Sequence, residues 1–305
     1  MLPWLVRYQQ QFIPLLANQR LAHGLLLSGV EGIGKSALAN WLAAALLCTE
    51  LTTEGGTGPV EACGKCKSCL LRLAGNHSDL LIVDNSAGSI GVDAVRRLSQ
   101  FMHGRAQQQL NKVVLLAQAE KLTEAAANAL LKTLEEPPQN SFLILQTSAA
   151  ATLPATLLSR CQQWPLAAES GNETQHWLAQ QSNRAVPDFL LAYCAGGPLK
   201  ALKLLESGEA YKLQTLIQTL QQFFAGQLAL ADCTKQLESS SELRQLLGWF
   251  LRRHLLPALT TQEPQRVLAI HQLYNRWCRD ETQILGQNRP LALSALLTEL
   301  TRLRG

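Results

Sequence analysis

The segment Gly29-Val-Glu-Gly-Ile-Gly-Lys-Ser36 narrows the fold of this chain more than any other. It has the form G-x-x-x-x-G-K-S, preceded by the apolar run His23-Gly-Leu-Leu-Leu-Ser28 and followed by a helix-forming stretch from Lys35 to Cys48. Glycines at Gly29, Gly32 and Gly34 let backbone N–H groups wrap phosphate oxygens, Lys35 can reach terminal phosphates, and Ser36 can ligate Mg²⁺. The competing reading is a chance glycine-rich turn. A strand before the loop and a helix after it argue for a phosphate-cradling P-loop able to hold ATP or ADP.

The surrounding pattern agrees. Leu80-Leu-Ile-Val-Asp84, Val113-Val-Leu-Leu116 and Phe142-Leu-Ile-Leu145 are further apolar runs, separated by helical stretches over 92–102 and 123–134. Continuous runs of this kind fit parallel strands buried on both faces, and their alternation with helices predicts an α/β layered domain over residues 1–165. Beyond Pro165 the strand signals stop. Residues 166–207 read as short helices around the Gly- and Pro-rich break Tyr193-Cys-Ala-Gly-Gly-Pro198, and residues 208–305 as a separate leucine-rich helical domain.

Composition excludes several functions. The longest uncharged stretch, Pro137 to Ser159, is interrupted by Gln139, Asn140, Ser141, Gln146 and Thr147, so no membrane span is expected. Residues 1–7 lack a basic segment followed by an apolar one, so no export signal is read and a cytoplasmic address is expected. The net charge of +4 is spread evenly over the two halves, which is not the concentrated basic surplus of a self-sufficient nucleic-acid binder. Any DNA contact is expected to be shared with other chains.

Hydrolysis at a P-loop needs an acid on another strand to hold Mg²⁺ and a group to activate water. One candidate is Asp84, followed by Asn85-Ser86 with no second carboxylate beside it; the other strand, Val113 to Leu116, ends in Ala117-Gln118. Pattern alone does not choose between them.

Of the eight cysteines, Cys63-Gly-Lys-Cys66-Lys-Ser-Cys69 offers three thiolates, with Cys48 as a fourth. Four sulfurs make a closed tetrahedral Zn²⁺ site with no open position, hence a structural one holding an insert at about 48–69. An iron–sulfur cluster and unligated thiols are the alternatives. The scattered Cys161, Cys194, Cys233 and Cys278 read as ordinary buried residues, and no disulfides are expected. His23 and His77 read as hydrogen-bonded structural residues, Trp249-Phe250 as helix packing, and Glu135-Glu136 before Pro137-Pro138 as a helix end.

Asn111-Lys-Val-Val-Leu-Leu-Ala-Gln-Ala-Glu-Lys-Leu122, Asn128-Ala-Leu-Leu-Lys-Thr-Leu-Glu-Glu-Pro-Pro138 and Ser159-Arg-Cys161 resemble the clamp-loader subunits of bacterial DNA polymerase III, which are AAA+ proteins. The resemblance covers essentially the whole chain, in the helical C-terminal part mainly by pattern and length. It implies an AAA+ domain with a zinc module, then a helical lid domain, then a helical collar that joins subunits. It also implies that Ala117 and Gln118 occupy the positions of the catalytic acidic pair, that Asp84 is a decoy, and that nucleotide bound at Lys35 is not hydrolysed. The lid arginine of the ATPase members falls at Leu199, with Lys200 able to replace it only by a register shift. Arg160 is then expected to project into a neighbouring subunit's ATP site, where an always-charged guanidinium can bridge phosphate oxygens; the bland alternative is a structural ion pair. The implied partners are the gamma/tau and delta subunits in a heteropentamer, with the sliding clamp and primer–template DNA reached through the complex. The enzymatic alternative is a hydrolysing gamma/tau-type subunit or another P-loop ATPase.

Overall fold

The computed structural model describes residues 2–53, 60–83, 88–108, 111–168, 172–238, 240, 242–258, 264–284, 286 and 288–304. Asp84 lies outside the described residues. The chain divides into two compact units, one of Met1–Gln180 with Cys194–Ala201 and one of Gln181–Tyr193 with Leu202–Gly305.

In the first unit, helix α1 (Val6–Ala17) leads into strand β1 (Gly24–Ser28) and helix α2 (Lys35–Leu47). A short hairpin, β2 (Leu51–Thr53) and β3 (Val60–Ala62), and helix α3 (Lys67–Leu73) form the insert before strand β4 (Leu80–Val83). Then come α4 (Val92–His103), β5 (Lys112–Leu116), α5 (Glu124–Glu135), β6 (Ser141–Thr147), α6 (Ala155–Leu158), β7 (Gln162–Pro165) and α7 (Asn172–Gln181). The five strands of the main sheet run in the order β4-β5-β6-β1-β7, with each neighbouring pair parallel.

Strand alternation explains the unbroken apolar runs. Leu25 and Leu27 of β1, Val113 and Leu115 of β5 and Ile144 of β6 enter the core under α1 and α2. Leu26, Val114, Leu116, Leu143 and Leu145 enter a second core under α4 and α5. Each fully buried leucine contributes roughly 1.5–3 kcal/mol of transfer free energy, so a sheet covered on both faces cannot carry polar residues at alternate positions. Strand β4 departs from the expectation of burial on both faces: it is the sheet edge, and Ile82 is 58% exposed. Strand β7 and the β2–β3 hairpin were not foreseen, because Gln162-Gln-Trp-Pro165 is half polar and the hairpin strands are three residues each.

Helix boundaries follow local chemistry. Thr123 caps α5, its hydroxyl accepting from the N–H of Ala126 at 3.2 Å. Asp79 is fully buried just before β4, and its two carboxylate oxygens accept from the N–H groups of Gln107 and Gln108 at 2.8 Å each. It thereby anchors the segment leading into β5.

Among its described residues the second unit contains helices and no strand: α8 (Leu190–Tyr193), the later part of α9 (Pro198–Glu206), α10 (Glu209–Phe224), α11 (Leu230–Leu237), α12 (Leu243–Phe250), α13 (Pro264–Gln283) and α14 (Arg289–Arg304). Leu213, Ile217, Leu220, Leu237, Leu246, Phe250, Leu293, Leu297 and Leu300 form its buried side. Trp249 packs edge-on against Phe189 and Tyr193 at 5.8 and 5.9 Å, the packing role the sequence suggested for Trp249-Phe250.

Candidate functional site

The P-loop lies at the carboxyl end of β1, where parallel α/β sheets place ligands. Two glycines are there for space as well as for backbone. Gly32 has φ +79°, and a Cβ on it would fall 2.4 Å from the backbone nitrogen of Lys200. Gly34, at φ +102°, is the residue from which α2 starts, and a Cβ there would meet Leu2 at 2.7 Å. The N-terminal turn is fastened to the loop by the Trp4 indole, which donates to the Ile33 carbonyl at 2.7 Å. The loop apex is fastened to the Gly197–Lys200 segment: the N–H of Leu199 donates to the Gly32 carbonyl at 2.9 Å, and Lys200 pairs with Glu31 at 3.0 Å.

Beside the loop is a cavity of ≈ 420 Å³. Gly32, Gly34, Lys35 and Ser36 line it from the loop, Ala117, Gln118 and Glu120 from the turn after β5, Gln146 and Ser148 from the end of β6, and Leu199 from the covering segment. Lys35 donates to the carbonyls of Gly29 and Val30 at 2.7 and 2.9 Å and to the Ser148 hydroxyl at 2.9 Å. Burial lowers its pKa from the ordinary lysine value, opposed by the nearby carboxylates of Glu120 and Glu31. Ser36 donates to the side-chain carbonyl of Gln146 at 2.8 Å.

Ala117 and Gln118, which the family resemblance sets at the positions of the acidic pair, line the cavity. Gln118 is in the left-handed region at φ 53°, a strained conformation for a residue with a side chain, and the turn it makes carries Glu120 back to the cavity. Sequence reasoning missed Glu120, Gln146 and Ser148. Gln146 had a signal, a polar residue directly after the apolar run Phe142–Leu145; it is only 5% exposed, so its amide had to find a partner. Glu120 had none, since it is the turn geometry that aims it.

At the far end of α2 the four cysteines converge: the sulfurs of Cys48, Cys63, Cys66 and Cys69 all lie within 4.8 Å of one another. Cys48 ends α2, Cys66 caps α3 and Cys69 sits in its first turn. Backbone N–H groups point at the sulfurs, from Cys63 and Glu50 to Cys48 at 3.3 and 3.4 Å, from Cys66 to Cys63 at 3.3 Å, and from Cys69 to Cys66 at 3.4 Å. Burial raises the Cys66 thiol, but hydrogen bonds from Thr49 and the Cys69 N–H outweigh it and bring the pKa down to about 6. Cys69 is pushed up to about 12 by burial and its neighbouring thiols. A tetrahedral site with Zn–S bonds of about 2.3 Å has sulfur–sulfur edges of roughly 3.8 Å, so the donor set fits a metal such as zinc after a small contraction. The insert is held to α2 through Ser68, whose hydroxyl donates to the Leu47 carbonyl and receives the Nε2–H of His77 at 2.6 Å; the Nδ1 of His77 accepts from the Asp79 N–H at 3.1 Å.

Arg160 lies after α6, apart from the P-loop cavity lining. Its Nε donates to Glu135 at 2.8 Å and its Nη1 to the Thr156 carbonyl at 3.0 Å, with a side chain 34% exposed. Within the chain, then, the guanidinium has a surface ion pair of the kind worth about 0–1 kcal/mol. The two histidines have the bonded roles expected, His23 Nε2 lying 2.9 Å from the Leu134 carbonyl.

A parallel sheet whose β1 strand feeds a P-loop, with further polar groups delivered from the ends of β5 and β6, has its counterpart among solved structures. A DNA polymerase III gamma-subunit-related protein of Thermotoga maritima covers 97% of this chain and 100% of its own at a TM-score of 0.50 and 19% identity, a likeness of fold. The molecule has the parallel α/β fold of a P-loop protein. Sequence likeness goes further: the family described as DNA polymerase III, delta subunit, matches residues 6–170. DNA polymerase III subunit delta' of Yersinia pestis is 34% identical over 98% of this chain and 86% of its own, and that of Pseudomonas aeruginosa 37% identical over 81% and 74%. The chain belongs to the family of DNA polymerase III delta' subunits. Among its described residues no helix is long and apolar enough to cross a membrane.

Proposed function

We propose that this chain is a non-hydrolysing subunit of the clamp loader of bacterial DNA polymerase III, acting in the cytoplasm in a heteropentamer with gamma/tau and delta subunits. Its AAA+ domain occupies residues 1–165, a lid 166–207 and a collar 208–305. The observation that carries the absence of hydrolysis is Ala117-Gln118 at the cavity. Neither side chain can hold a divalent cation by charge or take a proton from water. ATP or ADP held by Gly29, Gly32, Gly34, Lys35 and Ser36 would therefore stay intact. Cys48, Cys63, Cys66 and Cys69 hold a structural Zn²⁺ that fixes the insert; four sulfurs leave it no position for a substrate.

Arg160 is the catalytic contribution, made in trans. Its partner Glu135 is half exposed and the pair is weak, so a phosphate of higher charge on a neighbouring subunit can recruit the guanidinium at little cost. In this reading the chain helps a neighbour turn over ATP while the sliding clamp is opened and placed on primer–template DNA.

Two assays test the proposal. The purified chain should show no ATP turnover, and turnover that Lys35→Ala abolishes would sink the non-hydrolysing assignment in favour of a gamma/tau-type ATPase. In a reconstituted loader, Arg160→Ala should lower DNA-stimulated ATPase severalfold while assembly, followed by gel filtration, is unchanged; unaltered ATPase would remove the trans role.

A further inference from the structure

The cavity contains more than a P-loop with its acids missing. The hydroxyl that a P-loop offers to Mg²⁺, that of Ser36, is committed to Gln146, whose amide is 5% exposed and has been carried into the buried end of β6. The turn after β5 supplies the neutral Ala117 and Gln118 and then one carboxylate, Glu120. One oxygen of Glu120 accepts from the N–H of Ser148 at 3.3 Å, and the other, Oε2, is buried without a hydrogen-bond partner among the described residues. Ser148 in turn receives Lys35.

These groups act differently on the parts of a nucleotide. The N–H groups of the loop and the start of α2 hold the phosphates nearest the nucleoside, and they need no metal to do so. A third phosphate must extend from the loop toward the ends of β5 and β6. There it meets Glu120, an anion with an unsatisfied oxygen in a partly desolvated place, and, with Ser36 held by Gln146 and positions 117 and 118 neutral, no second anionic ligand beside Glu120 from the turn after β5 among the described residues for the cation that would screen the two charges. Lys35 cannot offset this fully, since the same ammonium has to serve the diphosphate.

We propose that this P-loop is a metal-independent site for a nucleoside diphosphate, in which Gln146 displaces the metal from Ser36 and Glu120 rejects the third phosphate. The inference rests on the non-hydrolysing reading above and specifies the ligand of that site. It also gives the loop a constant occupant, insensitive to the ATP cycle of neighbouring subunits.

Calorimetric titration of the full-length chain with ADP and with ATP, each with Mg²⁺ and in magnesium-free buffer, tests it. Chelators are left out so that the cysteine cluster keeps its metal. ADP should bind with an affinity that changes less than threefold with Mg²⁺, and ATP at least tenfold more weakly. Glu120→Gln keeps an acceptor for the Ser148 N–H and should close the gap between ATP and ADP to under threefold. Gln146→Ala frees Ser36 and should make ADP binding respond to Mg²⁺; thermal melts of both variants verify folding. The proposal is overturned if Mg²⁺ tightens ADP tenfold in the unaltered chain, if ATP binds as well as ADP, or if neither binds. Phosphate release measured in the same ATP samples separates the two readings: turnover would sink the non-hydrolysing assignment, whereas failure to bind any nucleotide would leave it standing and remove only the diphosphate site.

Discussion

Helix α2 has a site at each end, and the two differ in how they are assembled. At its start the P-loop takes backbone from one segment but its character from other strands: Glu120 from the turn after β5, and Gln146 and Ser148 from the end of β6. At its end the cysteine cluster takes every sulfur from a stretch of 22 residues, Cys48 to Cys69. A site built within one segment is largely defined by spacing. One built from the ends of parallel strands depends on register and turn geometry across more than 100 residues of chain.

The cysteine end should be the more stability-critical, and removing the metal proposed for it is the strongest way to break the comparison. Cys69→Ser, or chelation at neutral pH, should cost roughly 3 kcal/mol, since loss of a structural metal belongs with the large single-site effects while the two sheet cores remain. That corresponds to a Tm lower by about 6–12 °C for a domain of this size. Hydrogen exchange should show lost protection confined to the insert and the end of α2. Equal loss across β1, β5 and β6 would mean that the cluster supports the whole sheet.

A smaller effect comes from His77, which fastens the insert. Burial depresses its pKa below the usual 6.5, with Asp79 opposing and Arg72 reinforcing the shift. The unfolded chain therefore binds a proton that the folded chain resists, and this part of the stability rises with pH. The contribution is present above the unfolded pKa and is lost as pH falls from about 6.5 toward the depressed folded value. Denaturant titrations at pH 7.5 and 5.5 should show a decline in stability attributable to His77, reduced in His77→Gln. An identical decline in that variant would assign the pH dependence to other groups.

The smallest stability effect should be at the P-loop lysine. Lys35→Ala removes three hydrogen bonds but also a partly desolvated charge, and the freed carbonyls face a cavity that water can enter. The change in unfolding free energy should stay within about 1 kcal/mol, while the nucleotide binding proposed for the loop should be lost. A larger destabilisation would show that the loop is a structural element first, and would weaken the contrast between the two ends of α2.

Much of the first unit was legible in the sequence. The runs at 24–28, 113–116 and 142–145 announced strands because burial on both faces forbids polar alternation, and the helical stretch over 123–134 coincides with α5. The edge position of β4 was not legible, because Leu80-Leu-Ile-Val83 is as apolar as the central strands although Ile82 faces outward. Strand β7 was missed because a half-polar strand at the other edge carries no apolar run. Asp79 carried no signal in the sequence, yet two backbone N–H groups 28 and 29 residues away make it a buried anchor.

By itself the sequence determined that a phosphate loop would stand between a buried strand and a helix, and that four thiols would be near enough to share a metal. These are properties of neighbours along the chain, set by backbone conformation, residue chemistry and spacing. The tertiary structure alone decided that Gln146 would take the hydroxyl of Ser36, that Glu120 would turn into the cavity, and that Arg160 would rest on Glu135. The Ser36–Gln146, Glu120–Ser148 and Arg160–Glu135 pairs join residues 110, 28 and 25 positions apart, and a hydrogen bond a few ångströms long is fixed by how the elements pack, which no local pattern records.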